Sequence, residues 1–135
     1  MKIVIIEDEQ DLGVLLRNFL VRQLNIKSPE ASIKVASSIR EGMLCINDIG
    51  PDWIFIDNNL PDGKGIDEIQ KIKGAYHDRR MKVVMMSAMT NLRDEALKRG
   101  ADYFLDKPIS FVEVKDILTR AWNAYYSLSL AYWTA

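Results

Sequence analysis

Acidic, hydroxyl and amine side chains stand directly after short apolar runs at several places in this 135-residue chain. Continuous apolar runs of this length are typical of strands in a parallel sheet, whose carboxyl ends meet at one edge. We therefore expect these polar side chains to meet in one site. They are Glu7, Asp8 and Glu9 after "KIVII", Asp57 after "DWIFI", Ser87 after "KVVMM", and Lys107 with Pro108 after "DYFLD".

The predicted site carries an excess of negative charge, because its carboxylates outnumber the single ammonium group of Lys107. Two carboxylates about 4 Å apart repel by roughly 4 kcal/mol at an effective dielectric near 20. A divalent cation would cancel this repulsion, and oxygen ligands without His or Cys favour Mg²⁺ over Zn²⁺. With the metal present, Asp57 becomes a candidate nucleophile towards phosphorus. Lys107 would offer a point charge to the phosphoryl oxygens, and Ser87 a hydrogen bond.

The elements that must position these residues alternate along the chain. Apolar residues at helical spacing occupy the segments between the apolar runs. Five strands, each followed by a helix, predict an α/β fold with a doubly wound parallel sheet and helices on both faces. The predicted strands are Lys2–Ile6, Ile33–Ser37, Asp52–Ile56, Lys82–Met86 and Asp102–Asp106, and the last helix is predicted over Phe111–Tyr126.

Composition narrows the class of protein. The length fits one compact domain, and 48% hydrophobic with 27% charged residues is ordinary globular composition. A net charge of −1 argues against nonspecific binding of nucleic acid or a membrane surface. The single cysteine, Cys45, is predicted to be a buried thiol, and no apolar run is long enough for a bilayer span. We expect a cytoplasmic protein.

Four motifs in order give the chain a resemblance to a known family. They are "IIEDE" after the first strand, "PDWIFIDNNLPDGKG" around the third, "VVMMSA" after the fourth and "GADYFLDKP" around the fifth. Together they resemble a CheY-like response-regulator receiver domain of two-component signalling, from Lys2 to about Tyr125. The resemblance implies a flavodoxin-like sheet with strand order 2-1-3-4-5, a receiver domain over residues 1–126, and a C-terminal tail over residues 127–135.

The resemblance also implies the roles of the acidic residues. Asp57 would accept a phosphoryl group from the phosphohistidine of a histidine kinase or a histidine phosphotransfer protein. Asp8 and Asp57 would bind Mg²⁺ directly, and Glu7 would bind it directly or through water. Asn59 would contribute its backbone carbonyl. No role is predicted for Asn58, and Asp62 is interpreted as a turn residue.

A second group of residues is implied to sense the phosphoryl group. Ser87 and Lys107 would hold its oxygens, with a cis Pro108 shaping the lysine loop. Phe104, which lies three residues before Lys107, occupies the position of the family's switch aromatic. Its neighbour Tyr103 is the second choice. Between Ser87 and Gly100 the chain is shorter than the family pattern, in the fourth helix or the loop before it.

Three hypotheses from different classes follow. The first is a phosphorylatable switch that turns over no external substrate and acts on a downstream effector protein or a lost output domain. The second is a pseudo-receiver that keeps the fold and acts as an interaction scaffold without phosphorylation. A phosphatase is the third, and Asn59 argues against it because a haloacid-dehalogenase-type enzyme requires a second aspartate there.

The C-terminal end of the sequence leaves two interpretations open. It is rich in aromatic and apolar side chains, either packed on the domain or forming a surface for a second copy or a partner. A homodimer through the last helix and the tail belongs to the second interpretation. The residues concerned are Trp122, Tyr125, Tyr126, Leu128, Leu130, Tyr132 and Trp133.

Overall fold

Five parallel strands form the central sheet of the computed structural model, which describes residues 1–76 and 80–121. In chain order they are β1 (Ile3–Ile6), β2 (Ile33–Ala36), β3 (Trp53–Asp57), β4 (Lys82–Ser87) and β5 (Tyr103–Asp106). Their order across the sheet is β2-β1-β3-β4-β5, which confirms the predicted topology. Two strands extend one residue beyond their predicted ends, so Asp57 and Ser87 are the last residues of β3 and β4.

Five helices connect and follow these strands. They are α1 (Gln10–Gln23), α2 (Ile39–Ile49), α3 (Ile69–Ala75), α4 (Arg93–Lys98) and α5 (residues 111–121). The 3₁₀ turns Gly65–Glu68 and Thr90–Leu92 lead into α3 and α4. Three predictions from the sequence lie outside the described residues: that His77 is exposed and has no chemical role, that the last helix continues beyond residue 121, and that residues 127–135 form a tail.

Each face of the sheet is covered by its own hydrophobic core. Val4, Ile6, Ile54 and Ile56 point to one face, and α2, α3 and α4 cover it. Residues that alternate with them point to the other face, which α1 and α5 cover: Ile3, Ile5, Trp53 and Phe55. Because both faces are buried, β1 and β3 contain no polar residue before their carboxyl ends, which is why their apolar runs are continuous.

The segment after β3 folds into a small hairpin. Asn59–Leu60 pairs antiparallel with Gly63–Lys64. At its tip, the Asp62 carboxylate accepts hydrogen bonds from the backbone N–H groups of Ile39 (2.8 Å) and Arg40 (3.0 Å) at the start of α2. The predicted turn residue is therefore also a helix cap. Gly65 closes the loop, because a Cβ atom there would lie 2.3 Å from the Asp57 carbonyl oxygen.

Two predictions from local patterns are wrong in detail. Residues 25–32, "NIKSPEAS", are predicted from the sequence to form a surface loop, but they include a helical turn over Pro29–Ser32. Proline suits the first position of a helix, because its missing N–H would have no partner there. Cys45 is only partly buried on α2, although burial still raises the pKa of its thiol. Within residues 1–76 and 80–121, no helix combines the length and apolar character of a membrane span.

Candidate functional site

Three carboxylates converge at the carboxyl edge of the sheet. Glu7 and Asp8 follow β1, Asp57 ends β3, and one ligand oxygen from each lies within 4.8 Å of the others. The register explains this, since Ile6 pairs with Ile56 and brings the ends of the two strands side by side. Glu7 and Asp57 are buried, whereas Asp8 is exposed at the mouth of the site. The predicted acidic residues are therefore neighbours.

Lys107 is the cation at the centre of this cluster. Its Nζ atom lies 2.6 Å from Glu7 Oε1, 3.1 Å from Asp57 Oδ1 and 3.6 Å from Glu9 Oε2. Its backbone N–H donates to the carbonyl oxygen of Ser87, and the Lys107–Pro108 peptide bond is cis, as the resemblance implies. Lys107 thus contacts acidic side chains at the carboxyl ends of two different strands.

Burial and a neighbouring negative charge raise the pKa of the buried carboxyl group of Glu7. Burial is the largest effect on Glu7 and, with the negative charge of Asp57, raises its pKa to about 7 against the opposing hydrogen bond from Lys107. Burial also lowers the pKa of Lys107. The hydrogen bond to Glu7 and the charge of Asp57 outweigh it, and the pKa of Lys107 lies above its usual value. The raised pKa of Glu7 thus reflects burial and neighbouring negative charge that the single ammonium group of Lys107 does not offset.

The donor set fits a hard divalent cation. Glu7 Oε2 is buried and has no hydrogen-bond partner among the described residues, so one oxygen of the site is left for a ligand. The cluster consists of carboxylates without His or Cys, the ligand chemistry that Mg²⁺ prefers. An open cleft of about 270 Å³ leads to it. Its lining residues are Asp8, Glu9, Asp57, Asn59, Ala88 and Lys107.

Ser87 lies behind this cleft rather than on its surface. Its side chain is buried, and the neighbouring Ala88 lines the cleft instead. The Ser87 hydroxyl oxygen accepts a hydrogen bond from the backbone N–H of Met89 at 3.0 Å. Its own hydrogen remains available for donation, because a hydroxyl both donates and accepts.

The two candidate switch aromatics lie on opposite faces of the sheet. Phe104 is 3% exposed and belongs to the core that α2, α3 and α4 cover, with the guanidinium of Arg93 5.1 Å from its ring centroid. Tyr103 packs on the other face, stacked on Trp53 at 6.1 Å between ring centroids. Trp53 begins β3, so Tyr103 lies towards the amino end of the sheet, away from Asp57.

The sequence predicts no role for Asn58 and does not identify the partner of Asp106. Asn58 is 3% exposed, and its side-chain oxygen accepts a hydrogen bond from Ile66 N–H at 3.1 Å. Asn58 therefore anchors the loop that carries Asn59. Asp106, which the sequence leaves as a turn residue or the partner of an unnamed cation, forms an ion pair with Arg93 at 2.8 Å. No local signal marks either contact, because each joins segments that meet only in the folded sheet.

Comparisons with known proteins agree with this fold and site. The profile described as "Response regulator receiver domain" matches residues 3–119. The KDP operon transcriptional regulatory protein KdpE of Escherichia coli is 30% identical over 115 residues, covering 84% of this chain and 47% of that protein. The chain spans about half the length of the curated relatives it matches first.

Solved structures give the same result. The receiver domain of NtrX from Brucella abortus has a TM-score of 0.75 at 25% identity, covering 89% of this chain and 97% of that one. A signal receiver domain from Colwellia psychrerythraea 34H has a TM-score of 0.80, covering 91% of this chain and 98% of that one. At 19% identity, this second likeness shows the fold alone.

The chain belongs to the response regulator receiver domain family, the input module of two-component signal transduction. A receiver domain is not an enzyme that turns over an external substrate, which confirms that prediction.

Proposed function

We propose that the protein is a phosphorylatable receiver that accepts a phosphoryl group on Asp57 and switches a signalling surface. The observation that carries this proposal is the contact of 3.1 Å between Lys107 Nζ and Asp57 Oδ1 in an open cleft. A pseudo-receiver scaffold has no need for a lysine placed against the acceptor, and the second hypothesis is therefore less well supported.

The proposed reaction is an in-line phosphoryl transfer. A carboxylate oxygen of Asp57 attacks the phosphorus of a phosphohistidine, the P–N bond breaks, and its electron pair returns to the imidazole of the donor. The product is an acyl phosphate on Asp57. The end of β3 holds the carboxylate rigidly, since β3 is paired on both sides by β1 and β4. Positioning of this kind is the main catalytic contribution that phosphoryl transfer requires.

Mg²⁺ is the proposed cofactor of this transfer. The residues that would hold it are Asp8, Asp57, Glu7 directly or through water, and Asn59 through its backbone carbonyl. Bound Mg²⁺ would supply positive charge to the transferred phosphoryl oxygens and the surrounding carboxylates. The partnerless Glu7 Oε2 atom supports this assignment, because a buried carboxylate oxygen without a donor is costly.

Lys107 and Ser87 are the proposed sensors of the phosphoryl group. Lys107 already lies within reach of Asp57, and it would exchange part of its contact with Glu7 for a phosphoryl oxygen. Ser87 would turn towards the cleft and donate its free hydroxyl hydrogen. Phe104 is the proposed switch aromatic and Tyr103 the alternative, although Tyr103 lies on the other face of the sheet.

The proposed partners follow from the family. The protein would act in the cytoplasm, where a histidine kinase or histidine phosphotransfer protein would donate the phosphoryl group and an effector protein or output domain would read the switch. KdpE is named a transcriptional regulatory protein and is about twice as long as the matched segment, which supports an output domain in proteins of this kind. The proposed boundaries remain a receiver over residues 1–126 with a tail over residues 127–135.

The test is labelling of the purified protein by acetyl phosphate with and without Mg²⁺, measured by intact-protein mass spectrometry. We expect a single phosphoryl addition in Mg²⁺, its loss in EDTA, and no addition to the D57A variant. Equal labelling of wild type and D57A would overturn the assignment of the acceptor. Complete absence of labelling and of beryllofluoride binding in wild type would favour the scaffold.

A further inference from the structure

Arg93 connects the beginning of α4 to β5 through two separate contacts. Its Nη2 atom lies 2.8 Å from Asp106 Oδ2, and its guanidinium carbon lies 5.1 Å from the centroid of the Phe104 ring. Phe104 and Asp106 are two residues apart on β5, so they point to the same face of the strand. Asp106 also has a buried Oδ1 atom without a hydrogen-bond partner among the described residues. One arginine thus holds both side chains.

These contacts complete a closed ring of chain segments and noncovalent contacts that contains both Ser87 and Lys107. The first half of the ring runs along the chain from Ser87 to α4. Met89 N–H donates to the Ser87 hydroxyl oxygen at 3.0 Å, and Leu92 N–H donates to the carbonyl oxygen of Met89 at 3.1 Å. Arg93, which follows Leu92, is only six residues from Ser87, so little slack separates the two.

The second half of the ring returns across the sheet. Arg93 binds Asp106, which directly precedes Lys107. Lys107 N–H donates to the Ser87 carbonyl oxygen at 3.0 Å and closes the ring. The two proposed sensors of the phosphoryl group are therefore joined by their direct hydrogen bond and by a second route through Arg93.

We infer that Arg93 is a positioning residue that restrains the Ser87 loop in the arrangement seen without a phosphoryl group. This inference rests on the proposed function. Ser87 is buried behind the cleft and must turn to reach a phosphoryl oxygen on Asp57. Met89 N–H is bonded to the same hydroxyl and would move with it. The loop would then pull on the start of α4, where Arg93 resists through Asp106 and Phe104.

Restraint by Arg93 should weaken the binding of a phosphoryl mimic by a measurable amount. Restraint of the ligand-free arrangement weakens any ligand that requires the other arrangement. A partly exposed ion pair and a cation–π contact are each weak, so loss of both is expected to tighten beryllofluoride binding about three- to tenfold. Beryllofluoride with Mg²⁺ is the probe, since it mimics a phosphoryl group on a carboxylate without being transferred.

The experiment compares wild type with R93A, D106N and the double variant R93A/D106N, by titration followed through backbone amide NMR signals. Charge alone predicts opposite effects, because R93A removes a positive charge near an anion and D106N removes a negative one. The ring predicts that both single variants bind more tightly, and that the double variant binds no more tightly than R93A. Unchanged or weaker binding by R93A would overturn the inference.

R99A is the matched control. Arg99 lies just after α4, forms ion pairs with Glu95 and Asp67 at 2.8 and 2.9 Å, and takes no part in the ring. The same loss of charge and of ion pairs should leave beryllofluoride affinity within about twofold of wild type. A purely structural role of Arg93 would lower the melting temperature of R93A without changing its affinity, and this result would also overturn the inference.

Failure of the proposed function gives a different result. If wild type binds no beryllofluoride, the acceptor assignment fails, and the ring is judged by hydrogen exchange of the Met89 and Lys107 amides. Faster exchange of both in R93A, but not in R99A, would show that Arg93 holds the loop. Unchanged exchange in R93A would overturn the ring itself.

Discussion

The two edges of the central sheet use the same residue types in opposite ways. At the amino edge, Asp102 Oδ2 accepts from Lys73 Nζ at 2.6 Å and from Val83 N–H at 2.8 Å. Lys73 also donates to the carbonyl oxygen of Met81 at 2.9 Å. At the carboxyl edge, Lys107 faces Glu7, Asp57 and Glu9 together, and Glu7 Oε2 has no partner within the described residues.

The difference separates a structural ion pair at the amino edge from the proposed reactive site at the carboxyl edge. At the amino edge Asp102 has two lysines within ion-pair distance, Lys73 and Lys82, and its Oδ2 atom accepts two hydrogen bonds. Asp102 therefore ties β4 to the start of β5 and leaves no need for a bound ligand. The carboxyl edge has an excess of acid and an unused buried oxygen, which a bound cation or phosphoryl group would complete. The candidate site is therefore distinguished by a buried polar atom in a cleft that has no hydrogen-bond partner among the described residues, and not by the presence of Lys and Asp, which occur at both edges.

Substitution of Asp57 at the carboxyl edge and of Asp102 at the amino edge by asparagine should give the largest difference, which is in labelling by acetyl phosphate. Asp57→Asn is expected to abolish labelling by acetyl phosphate, because an amide is not a nucleophile towards phosphorus. Its stability should not fall, since the substitution removes a negative charge beside Glu7 and Glu9. Asp102→Asn should keep wild-type labelling. Mass spectrometry of both variants checks the comparison, and strong labelling of Asp57→Asn would contradict it.

Titration of Glu7 at the carboxyl edge should make the stability of the protein depend on pH, whereas the ion pair at the amino edge should not contribute to this dependence. The pKa of Glu7 is raised from its usual 4.5 to about 7, so the folded protein binds more protons than the unfolded chain between these values. Stability from this group is complete below pH 4.5 and is lost as pH rises through 7. The loss is at most roughly 3 kcal/mol.

Urea unfolding in EDTA at pH 5 and pH 8 measures this loss. Glu7→Gln keeps the shape of the side chain and cannot titrate, so the pH dependence of wild type minus that of Glu7→Gln isolates the group. Asp102→Asn should retain the wild-type decrease in stability. An identical pH dependence in wild type and Glu7→Gln would contradict the assignment.

Loss of the structural ion pair should reduce stability moderately. Asp102→Asn weakens the charge-assisted bond from Lys73, and its side chain is about one quarter exposed (23%). We expect a loss of about 1–2 kcal/mol in the free energy of unfolding. Asp106→Asn breaks a more exposed pair with Arg93. It serves as the matched substitution at the other end of β5, because Asp102 directly precedes this strand, and it should lose less stability. Urea unfolding of the two variants ranks them.

The smallest expected effect separates two adjacent residues at the carboxyl edge. Asn58→Ala removes the buried acceptor of Ile66 N–H and should cost about 1 kcal/mol in stability. Asn59→Ala removes an exposed side chain whose oxygen accepts from Lys64 Nζ at 2.8 Å. Because water can replace a partner at the surface, this variant should change stability by less than about 0.5 kcal/mol. Equal losses in the two variants would show that burial of Asn58 is not what anchors the loop.

The sequence predicts the sheet well because its signals are local. Continuous apolar runs and helical spacing depend only on near neighbours in the chain, and the carboxyl-edge rule then gathers Glu7, Asp8, Asp57 and Lys107 without further information. Positions such as residues 29–32 and Cys45 were less well predicted. A helical turn of four residues is too short to show a period, and partial burial depends on which neighbours cover a side chain.

The contacts of single polar side chains were beyond prediction from the sequence. Asp62 reads as a turn residue, and its bonds to Ile39 and Arg40 depend on how the hairpin meets α2. Arg93 carries no sequence signal that identifies a partner, and its contacts with Phe104 and Asp106 depend on where α4 crosses β5. Such contacts join segments whose separation is set by packing, not by local propensity.

The sequence by itself determined the order of strands and helices, the carboxylates and lysine at one edge, and the membership of the family. Only the tertiary structure decided that Lys107 touches both Glu7 and Asp57, that Ser87 lies behind the cleft, and that a ring of contacts through Arg93 joins Ser87 to Lys107. The physical reason is the separation along the chain of the residues that determine each feature. Burial and backbone periodicity are encoded within a few residues, whereas a hydrogen bond at 3 Å between distant segments exists only once both cores have packed against the sheet.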